Sequence, residues 1–201
     1  VKEAKSQKAR LSYEQIKAIE ELELKHGDWP ATTRDAFLFS FYNAGIRFGD
    51  IARLKWQNII DGRLRYNMAK SNKDKNIRLL PPALKILDKY RPAEPEPKEF
   101  IFPILNPRLD YTDSSFLRQQ ISSKNAMVNK HLKKIARAAG IQDVVSFHVS
   151  RHSFADFART SGMNIYDISK ALGHSDIGIT QDYLKSFDET SLDKSMNKLF
   201  E

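Results

Sequence analysis

The sequence predicts an α+β fold that is mostly α-helical and contains one small antiparallel β-sheet. Apolar residues recur at helical spacing through most of the chain, and glycines follow several of these segments, where left-handed helix caps belong. Residues 59–81 differ, because apolar and polar side chains alternate there with the two-residue period of a half-buried strand. With 201 residues, 41% hydrophobic and 29% charged, the chain can form one well-packed core.

The predicted domain covers residues 11–201 and follows a short basic arm at residues 1–10. The arm is polar and has nothing to bury, so it is interpreted as a linker. Ser12 begins a capping-box pattern, SYEQ, at the start of a first helix. The His-Gly pair at 26–27 is expected to end that helix.

A second, strongly apolar helix is predicted next. Thr32 or Thr33 is expected to cap it, and Gly45 is expected to end it. Its sequence, DAFLFSFYNAG, is apolar on most faces, which predicts burial on most sides. A further short helix is predicted at 47–56.

The alternating stretch DGRLRYNMAK predicts one strand of the sheet. A polar turn at 70–76 separates it from a returning strand at 77–81, so the sheet has two or three strands, and a helix is predicted at 83–90. Three prolines between Pro92 and Pro97 are too stiff and too poor in hydrogen-bond donors for a helix or a sheet. This segment therefore predicts a surface connection within one domain.

The rest of the chain is predicted to be helical. The last helix carries an apolar stripe, which indicates docking either on a neighbouring protomer or on its own core. The predicted helices cover 125–139, 147–161, 164–172, 179–185 and 191–200, and the stripe consists of Leu192, Met196, Leu199 and Phe200.

The charge of the chain favours a polyanionic partner. Lys and Arg number 33 against 25 Asp and Glu, a net charge of +8, which favours nucleic acid first and an anionic membrane second. The chain has no cysteine, which excludes disulfides and thiolate metal sites. No apolar run approaches the roughly 18–20 residues of a membrane span, and the opening residues lack the apolar core of a signal peptide. We therefore expect a cytoplasmic protein.

Two basic positions in the first half of the chain suit anion binding. Arg47 lies in NAGIRFGDI, between a helix-ending glycine and a short helix, so it is expected to project from a rigid corner, with Asp50 holding neighbouring groups in place. Lys70 enters the turn KSNKDK beside Lys73 and Lys75, and these lysines are candidates for contacts with DNA phosphates. The alternatives are a surface arginine on a turn and a solvated strand edge.

The stretch HVSRH brings His148, Arg151 and His152 onto one helix face. The spacing of the two histidines is that of a zinc-protease motif, but Val149 occupies the position where that motif needs a glutamate. A guanidinium between two ligands would also repel a divalent cation. His148 and Arg151 together fit a phosphate, because they offer a fork of fixed donors and a group that moves a proton near neutral pH.

A histidine and a tyrosine near the C-terminus complete the set. His174 follows a glycine in LGHSDIGITQDYL, and Tyr183 comes nine residues later. A phenol has an ordinary pKa of about 10, so a nucleophilic tyrosine needs a base and cationic neighbours. The alternative for Tyr183 is half-buried packing.

Taken together, these segments resemble the catalytic domain of the tyrosine recombinase (phage integrase) family. The matching boxes are AGIRFGDI, Lys70 on the hairpin, HVSRHSFA, ALGHS and TQDY, in the order that the family shows and over about residues 11–199. The resemblance implies the tyrosine recombinase catalytic-domain fold. It also implies cleavage and rejoining of DNA through a 3′-phosphotyrosine intermediate, with neither a metal nor a cofactor.

The resemblance assigns a role to each catalytic position. Tyr183 is the nucleophile, and Lys70 protonates the departing 5′-oxygen of the DNA strand. His148 accepts the phenolic proton. The three groups that stabilise and bind the phosphate are Arg47, Arg151 and His174. Asp50 stands where the family usually has glutamate.

The resemblance also implies partners and a setting. The partner is double-stranded DNA, on which four protomers act together, while the free protein is a monomer. Family members generally carry a further N-terminal helical domain that closes around DNA, and this domain is expected to be absent from the chain. The protein is expected to be encoded by a bacterium, a phage or a mobile element and to associate with the nucleoid.

Three other functions remain open at this stage. A type IB topoisomerase uses the same phosphotyrosine chemistry but relaxes supercoils. A DNA-binding regulator would not cut DNA. A zinc hydrolase would use His148 and His152 as metal ligands.

Overall fold

Helices make up most of the structure, and one three-stranded antiparallel sheet accompanies them, as the sequence predicts. The computed structural model describes residues 9–174 and 176–185, with only the backbone described at 182–185. The helices are α1 (Tyr13–Glu21), α2 (Trp29–Tyr42), α3 (Phe48–Ile51), α4 (Pro81–Asp88), α5 (Ser114–Ala138), α6 (Phe147–Thr160), α7 (Ile165–Leu172) and α8 (Ile177–Lys185), with a 3₁₀ turn at Trp56–Asn58. The strands are β1 (Ile59–Ile60), β2 (Arg63–Asn67) and β3 (Asp74–Arg78).

Helix α2 lies at the centre of the core, where it packs against α1, α4, α5 and α6. Its residues from Ala31 to Phe41 are all buried, as expected for a helix with apolar side chains around most of its circumference. The predicted caps Thr32 and Thr33 are wrong, because the helix begins at Trp29 and both threonines lie inside it. The Trp-Pro pair occupies the first turn, where proline fits because its missing N–H has no helical partner there anyway.

Helix α1 begins with the predicted capping box. Ser12 Oγ accepts from the backbone N–H of Gln15 at 3.3 Å, and the backbone N–H of Ser12 donates to Gln15 Oε1 at 2.9 Å. The helix ends at Glu21, earlier than the His-Gly pair at 26–27. The guanidinium of Arg34 binds the carbonyl of Leu22 at 2.5 Å, and this carbonyl acceptor lies just beyond the last helical residue.

The described part of the predicted basic arm packs on helix α6. Residues 1–8 lie outside the described residues, whereas Ala9 packs against the core. Arg10 forms an ion pair with Asp156 at 3.2 Å. The next residue, Leu11, is buried, and its backbone N–H donates to Ser153 Oγ at 2.8 Å. The chain is therefore attached to the domain from residue 9 onwards.

The sheet has the strand order β1-β2-β3, with both pairs antiparallel. Asp61 and Gly62 both have positive φ, which gives the tight turn between β1 and β2. The returning strand begins at Asp74 and not at the predicted residue 77, because Asp74 pairs with Asn67 across a turn of only six residues. The predicted end of that strand at 81 is also wrong, since Pro81 already belongs to α4.

Helix α5 begins much earlier than the predicted residue 125. Asp113 caps it through a hydrogen bond of 2.7 Å from the backbone N–H of Ser115. The added N-terminal half contains no fully buried residue, although Leu117 and Ile121, one helical turn apart, pack against the core. The buried residues of α5 all lie further along, at Val128, Leu132, Ile135 and Ala136.

The proline-rich segment forms no helix or strand, as predicted, but the residues that follow it enter the core. Phe102 is fully buried, with its ring 5.4 Å from that of Phe39 and 5.1 Å from that of Tyr90. The backbone N–H of Trp56 donates to the carbonyl of Glu99 at 3.1 Å. These contacts fix the connection between α4 and α5 on the domain.

Helices α6, α7 and α8 match their predicted positions closely. Gly173 ends α7 with φ +71°, and Asn164 caps its start through the backbone N–H of Asp167. The predicted helix at 191–200, with its apolar stripe, lies outside the described residues. No helix within the described part of the chain combines the length and the apolarity needed to cross a membrane.

Phe39→Ala is expected to lower the free energy of unfolding by about 3–5 kcal/mol, because it removes a fully buried ring and leaves a cavity against Phe102. Urea unfolding followed by circular dichroism measures the change. Tyr166→Ala is the control, since Tyr166 is 73% exposed and its loss should stay within about 0.5 kcal/mol. Equal losses in the two variants would contradict the assignment of the core.

Candidate active site

Five of the six predicted catalytic side chains line one open cleft of about 520 Å³. They come from four separate parts of the chain: the start of α3, the β2–β3 turn, the first turn of α6 and the residue pair that follows α7. The cleft is lined by Arg47, Lys70, Ser71, Lys73, His148, Arg151, Gly173, His174 and Ile179. The fold thus brings together residues that lie far apart in the sequence.

Arg151 is the most deeply placed cation of this cleft, with 4% of its surface exposed. Its Nη1 donates to the carbonyl of Gly45 at 2.9 Å, and its Nη2 donates to the carbonyl of Leu172 at 2.5 Å. The same Nη2 lies 3.1 Å from Nε2 of His174. Fixed acceptors on two sides therefore hold the guanidinium in one orientation.

Gly45 allows the close approach between α6 and the turn after α2. Its φ is +66°, and a Cβ added there would lie 2.7 Å from Cα and 2.8 Å from Cγ of Arg151. Both observations require glycine, because other residues rarely adopt this conformation and none would fit the space. The turn predicted around this glycine is confirmed, and it directly supports Arg151.

Arg47 precedes α3 and lines the cleft beside Arg151. Asp50, one turn further on, is buried, and its Oδ1 accepts from the backbone N–H of Ala69 at 3.0 Å. Burial raises the pKa of the Asp50 carboxyl, while the Ala69 N–H and the charge of Arg47 act in the opposite direction. Asp50 thus attaches the β2–β3 turn to the segment that carries Arg47. The point of attachment is Ala69, the residue before Lys70.

The β2–β3 turn is attached to the other side of the cleft as well. Lys73 Nζ donates to the backbone carbonyl of His174 at 3.3 Å. A Cβ on Gly173 would lie 2.4 Å from Cε of Met68, so the hairpin packs directly on the backbone of this glycine. Lys70 is exposed and lines the cleft between these two attachments.

Lys75 differs from its prediction as a DNA contact in an exposed turn. It lies in β3 and is buried, with 9% of its surface exposed. Its Nζ donates to the carbonyls of Lys170 and Ala171 at 2.5 and 2.7 Å, at the C-terminal end of α7. Burial lowers the pKa of Lys75 to about 8, with further contributions from Arg151 and Arg47. Its partner is thus the end of a helix, where cations are favourable.

His174 is held in its neutral form. Burial lowers its pKa to about 4, and the positive charges of Arg151, Arg47, Lys75 and Lys70 lower it further. Its Nδ1 lies 2.8 Å from the hydroxyl of Thr180 in α8, a residue that is completely buried. Each ring nitrogen therefore has a polar neighbour within hydrogen-bond distance.

Both the sequence and the fold match known proteins. The model of the phage integrase family matches residues 9–190. The chain belongs to the phage integrase family. It is 32% identical over 178 residues to the tyrosine recombinase XerC of Natranaerobius thermophilus, with 83% of this chain and 56% of that protein covered. It is 30% identical over 154 residues to a tyrosine recombinase of Thermosipho africanus, with 76% and 49% covered.

Solved structures of phage integrases and recombinases share this fold. XerA recombinase superposes with a TM-score of 0.69 at 23% identity, over 98% of this chain and 66% of that chain. A lambda integrase dimer bound to a COC′ core site gives a TM-score of 0.63 at 19% identity, over 92% and 62%. The predicted tyrosine recombinase catalytic-domain fold is confirmed. The chain spans about half the length of the first curated relatives that it matches.

The two histidines of the HVSRH box of this integrase family member contact each other. The rings of His148 and His152 lie 4.5 Å apart in an edge-to-face arrangement. His148 is exposed on the cleft, whereas His152 is 8% exposed and does not line it. Among residues 9–174 and 176–185, no group of three or more His, Asp or Glu side chains is arranged to hold a metal ion.

Tyr183 belongs to α8, three residues after Thr180, but its side chain lies outside the described part of the structure. Its predicted role as the nucleophile therefore stays a prediction. What the structure does describe is the contact that attaches its helix to the cleft, from Thr180 to His174. Sequence reasoning missed Thr180, because a threonine three residues before a tyrosine is not by itself a signal.

A second cavity of about 380 Å³ adjoins the cleft and shares Arg47, His148 and Arg151 with it. Its far wall comes from α5, where Asn125 and Asn129 lie one helical turn apart. The Oδ1 of Asn129 accepts from the backbone N–H of Phe147 at 2.8 Å, so α5 caps the start of α6 from outside. Sequence analysis assigned no role to these asparagines. The two asparagines are four residues apart, which places them on one helix face, and this spacing was the feature of the sequence that could have predicted a shared role.

The neutral state of His174 predicts a pH-dependent contribution to stability. Its ordinary pKa is 6.5 and its folded pKa is about 4, so between these values the unfolded chain binds a proton that the folded chain does not. As the pH falls through this window, the wild-type free energy of unfolding should fall more than that of His174→Gln. Urea unfolding at pH 7 and at pH 4.5 tests this, and an identical pH effect in both proteins would contradict it.

Gly45→Ala is expected to destabilise the protein by about 1–3 kcal/mol more than Gly140→Ala, because only the first substitution forces a Cβ against Arg151. Gly140 is a matched control, since its φ is +74° and no atom lies within 4 Å of an added Cβ. Urea unfolding of both variants measures the difference. Equal losses would show that backbone strain alone accounts for the requirement at residue 45.

Proposed function

We propose that this chain is the catalytic part of a site-specific tyrosine recombinase, which cleaves and rejoins DNA strands through a covalent 3′-phosphotyrosine intermediate and needs neither a metal nor a nucleotide. The curated relatives reported above are named tyrosine recombinases. One of the matching structures is described as a lambda integrase dimer bound to a core site. These relatives are longer than this chain, so the proposed activity of this chain is argued from the residues that line its cleft.

The observation that carries the proposal is the convergence of Arg47, Arg151 and His174 with Lys70 and His148 in one cleft. The two guanidinium groups of Arg47 and Arg151 form a site for one phosphate because they offer several donors, and the ring of His174 lies beside Arg151. Among the described residues, none of those that line this cleft is acidic. An anion bound there would therefore meet donors and positive charge.

In the proposed reaction the phenolic oxygen of Tyr183 attacks a phosphorus of the DNA backbone in line with the 5′-oxygen. A bond forms between Tyr183 and phosphorus, and the bond between phosphorus and the 5′-oxygen breaks. Negative charge builds on the non-bridging oxygens. Arg47 and Arg151 stabilise that charge, and two backbone carbonyls hold Arg151 in place before the reaction begins.

Two proton transfers complete the cleavage step. His148 accepts the phenolic proton of Tyr183, which is consistent with its exposure on the cleft. Lys70 donates a proton to the 5′-oxygen, which leaves as a hydroxyl. A 5′-hydroxyl from a second strand then attacks the phosphotyrosine and restores the phosphodiester. The energy of the broken bond is kept in the covalent intermediate.

The proposed partner is double-stranded DNA. A net charge of +8 supports it, because lysines and arginines that neutralise phosphates release counterions and give an affinity that falls steeply with salt. Lys73, exposed beside the cleft, is a candidate phosphate contact. We propose that the protein is a tetramer on DNA and a monomer when free in solution. We also propose that it acts in the cytoplasm, associated with the nucleoid of a bacterial or phage-infected cell.

The test is a pool of nicked suicide duplexes with randomised arms, from which covalent complexes that survive SDS are recovered. Wild-type protein is expected to form such a complex equally well in EDTA. Tyr183→Phe should form none, because it lacks the attacking oxygen. Arg47→Ala and Arg151→Ala should each slow the reaction by about 100-fold or more, as is typical when a group that stabilises transition-state charge is lost.

Matched controls separate the cleft from the rest of the surface. Tyr166→Phe changes a tyrosine that is 73% exposed outside the cleft, and Arg91→Ala removes a guanidinium that lies over Trp56. Both should react like wild type. A covalent complex that persists in Tyr183→Phe would exclude this nucleophile. Relaxation of a supercoiled plasmid without paired sites would instead indicate a type IB topoisomerase, and binding without any covalent complex would indicate a regulator.

A further inference from the structure

The hydroxyl of Thr180 is a polar group that connects helix α8 to the phosphate-binding residues. Thr180 has no exposed surface, and its Oγ1 lies 2.8 Å from Nδ1 of His174. On the other side of the same ring, Nε2 lies 3.1 Å from Nη2 of Arg151. The imidazole is thus placed between a guanidinium and a buried hydroxyl.

The guanidinium decides which ring nitrogen carries the proton. Arginine has only donors, so Nε2 of His174 must accept from Arg151. The ring is neutral, with a pKa of about 4. A neutral imidazole carries a single proton, which therefore sits on Nδ1 and is donated to Thr180 Oγ1. Without Thr180 Oγ1, the Nδ1–H group of His174 would lose this hydrogen bond.

A bound phosphate would require the opposite arrangement. For His174 to donate to a phosphate oxygen beside Arg151, Nε2 must carry the proton. Nδ1 then becomes an acceptor and needs a donor. A threonine hydroxyl serves both states, because it accepts from a protonated Nδ1 and donates to a bare one after rotating about its C–O bond. The ring stays neutral, since it releases the Nδ1 proton and takes up one on Nε2 by exchange with water in the open cleft.

The position of Thr180 adds a second consequence. It lies on α8, three residues before Tyr183 in the same helix. The hydrogen bond to His174 therefore joins the helix of the proposed nucleophile to the side chains of the proposed phosphate site. Nδ1 of His174 and Thr180 Oγ1 are the two atoms of this connection.

We infer that Thr180 is a positioning residue of the proposed reaction, whose hydroxyl orients His174 in both of its hydrogen-bonding states and holds α8 against the phosphate-binding residues. This inference rests on the proposed function. It assigns Thr180 no contact with DNA, since the residue is fully buried.

Thr180→Val and Thr180→Ser test the inference. Valine keeps the shape of threonine but removes the hydroxyl, whereas serine keeps the hydroxyl. At saturating DNA, Thr180→Val should form the covalent complex at least about 10-fold more slowly, because His174 loses the hydrogen bond that orients its ring. Thr180→Ser should react within about threefold of wild type. Affinity for the same duplex, measured by fluorescence anisotropy, should change less than about twofold in both variants.

Thr33→Val is the matched control for replacing a buried threonine. Thr33 is 1% exposed, and its hydroxyl has no hydrogen-bond partner among the described residues. This variant should cleave like wild type. Thr180→Val with wild-type cleavage would overturn the inference. An equal loss in Thr180→Ser would also overturn it, because the shape of the side chain and not the hydroxyl would then be responsible.

A measurement on the DNA-free protein separates this inference from the proposed function. In ¹⁵N-labelled protein, the ring nitrogens of His174 are assigned by their loss in His174→Gln. Wild type and Thr180→Ser should show a proton on Nδ1 that exchanges slowly with water, and Thr180→Val should lose that signal. An unchanged spectrum in Thr180→Val would overturn the inference even in an active enzyme. A wild-type protein that cuts no DNA would refute the proposed function, and the spectra would still decide the contact.

Discussion

The buried guanidinium of Arg151 is the interaction on which the cleft depends. It binds the carbonyls of Gly45 and Leu172 and the ring of His174, so this side chain of α6 joins the turn after α2 to the end of α7. Burial of a charged group is costly unless its donors are satisfied, and here two backbone carbonyls accept hydrogen bonds from the guanidinium. Because these carbonyls belong to a core turn and to the end of α7, the position of the arginine follows from the packing of the whole domain.

Positive charge collects around this arginine with little compensation. Burial is the main cause that lowers the pKa values of Lys75 and His174, and the charges of Arg151 and Arg47 lower both further. Asp50 is the nearby carboxylate that responds to these arginines, but its hydrogen bond goes to the β2–β3 turn. The repulsion between fixed cations is relieved when an anion binds among them. Such a site is organised before its ligand arrives, which is the arrangement that favours charge in a transition state.

The sequence predicted helices and strands well where apolar residues recur with a regular period or where a capping residue stands at the boundary. It failed at boundaries that lack these local patterns. The capping box at Ser12 and the glycine after α7 are as predicted. The start of α2 was missed because Pro30 lies in the first turn, so that Thr32 and Thr33 are inside the helix and do not cap it. The first half of α5 was missed because polar residues occupy most of its positions, although Leu117 and Ile121 lie at helical spacing and pack on the core.

The sequence alone determined the order and identity of the chemical groups, and from these came the family, the helix-rich fold and the five side chains that meet in the cleft. Only the tertiary structure decided what each group contacts. It buried Lys75 against the end of α7 and left Lys70 exposed, although both lysines read alike in one polar stretch. It also placed Thr180 against His174. Burial and hydrogen bonding depend on residues brought together from distant parts of the chain, and no local pattern records those partners.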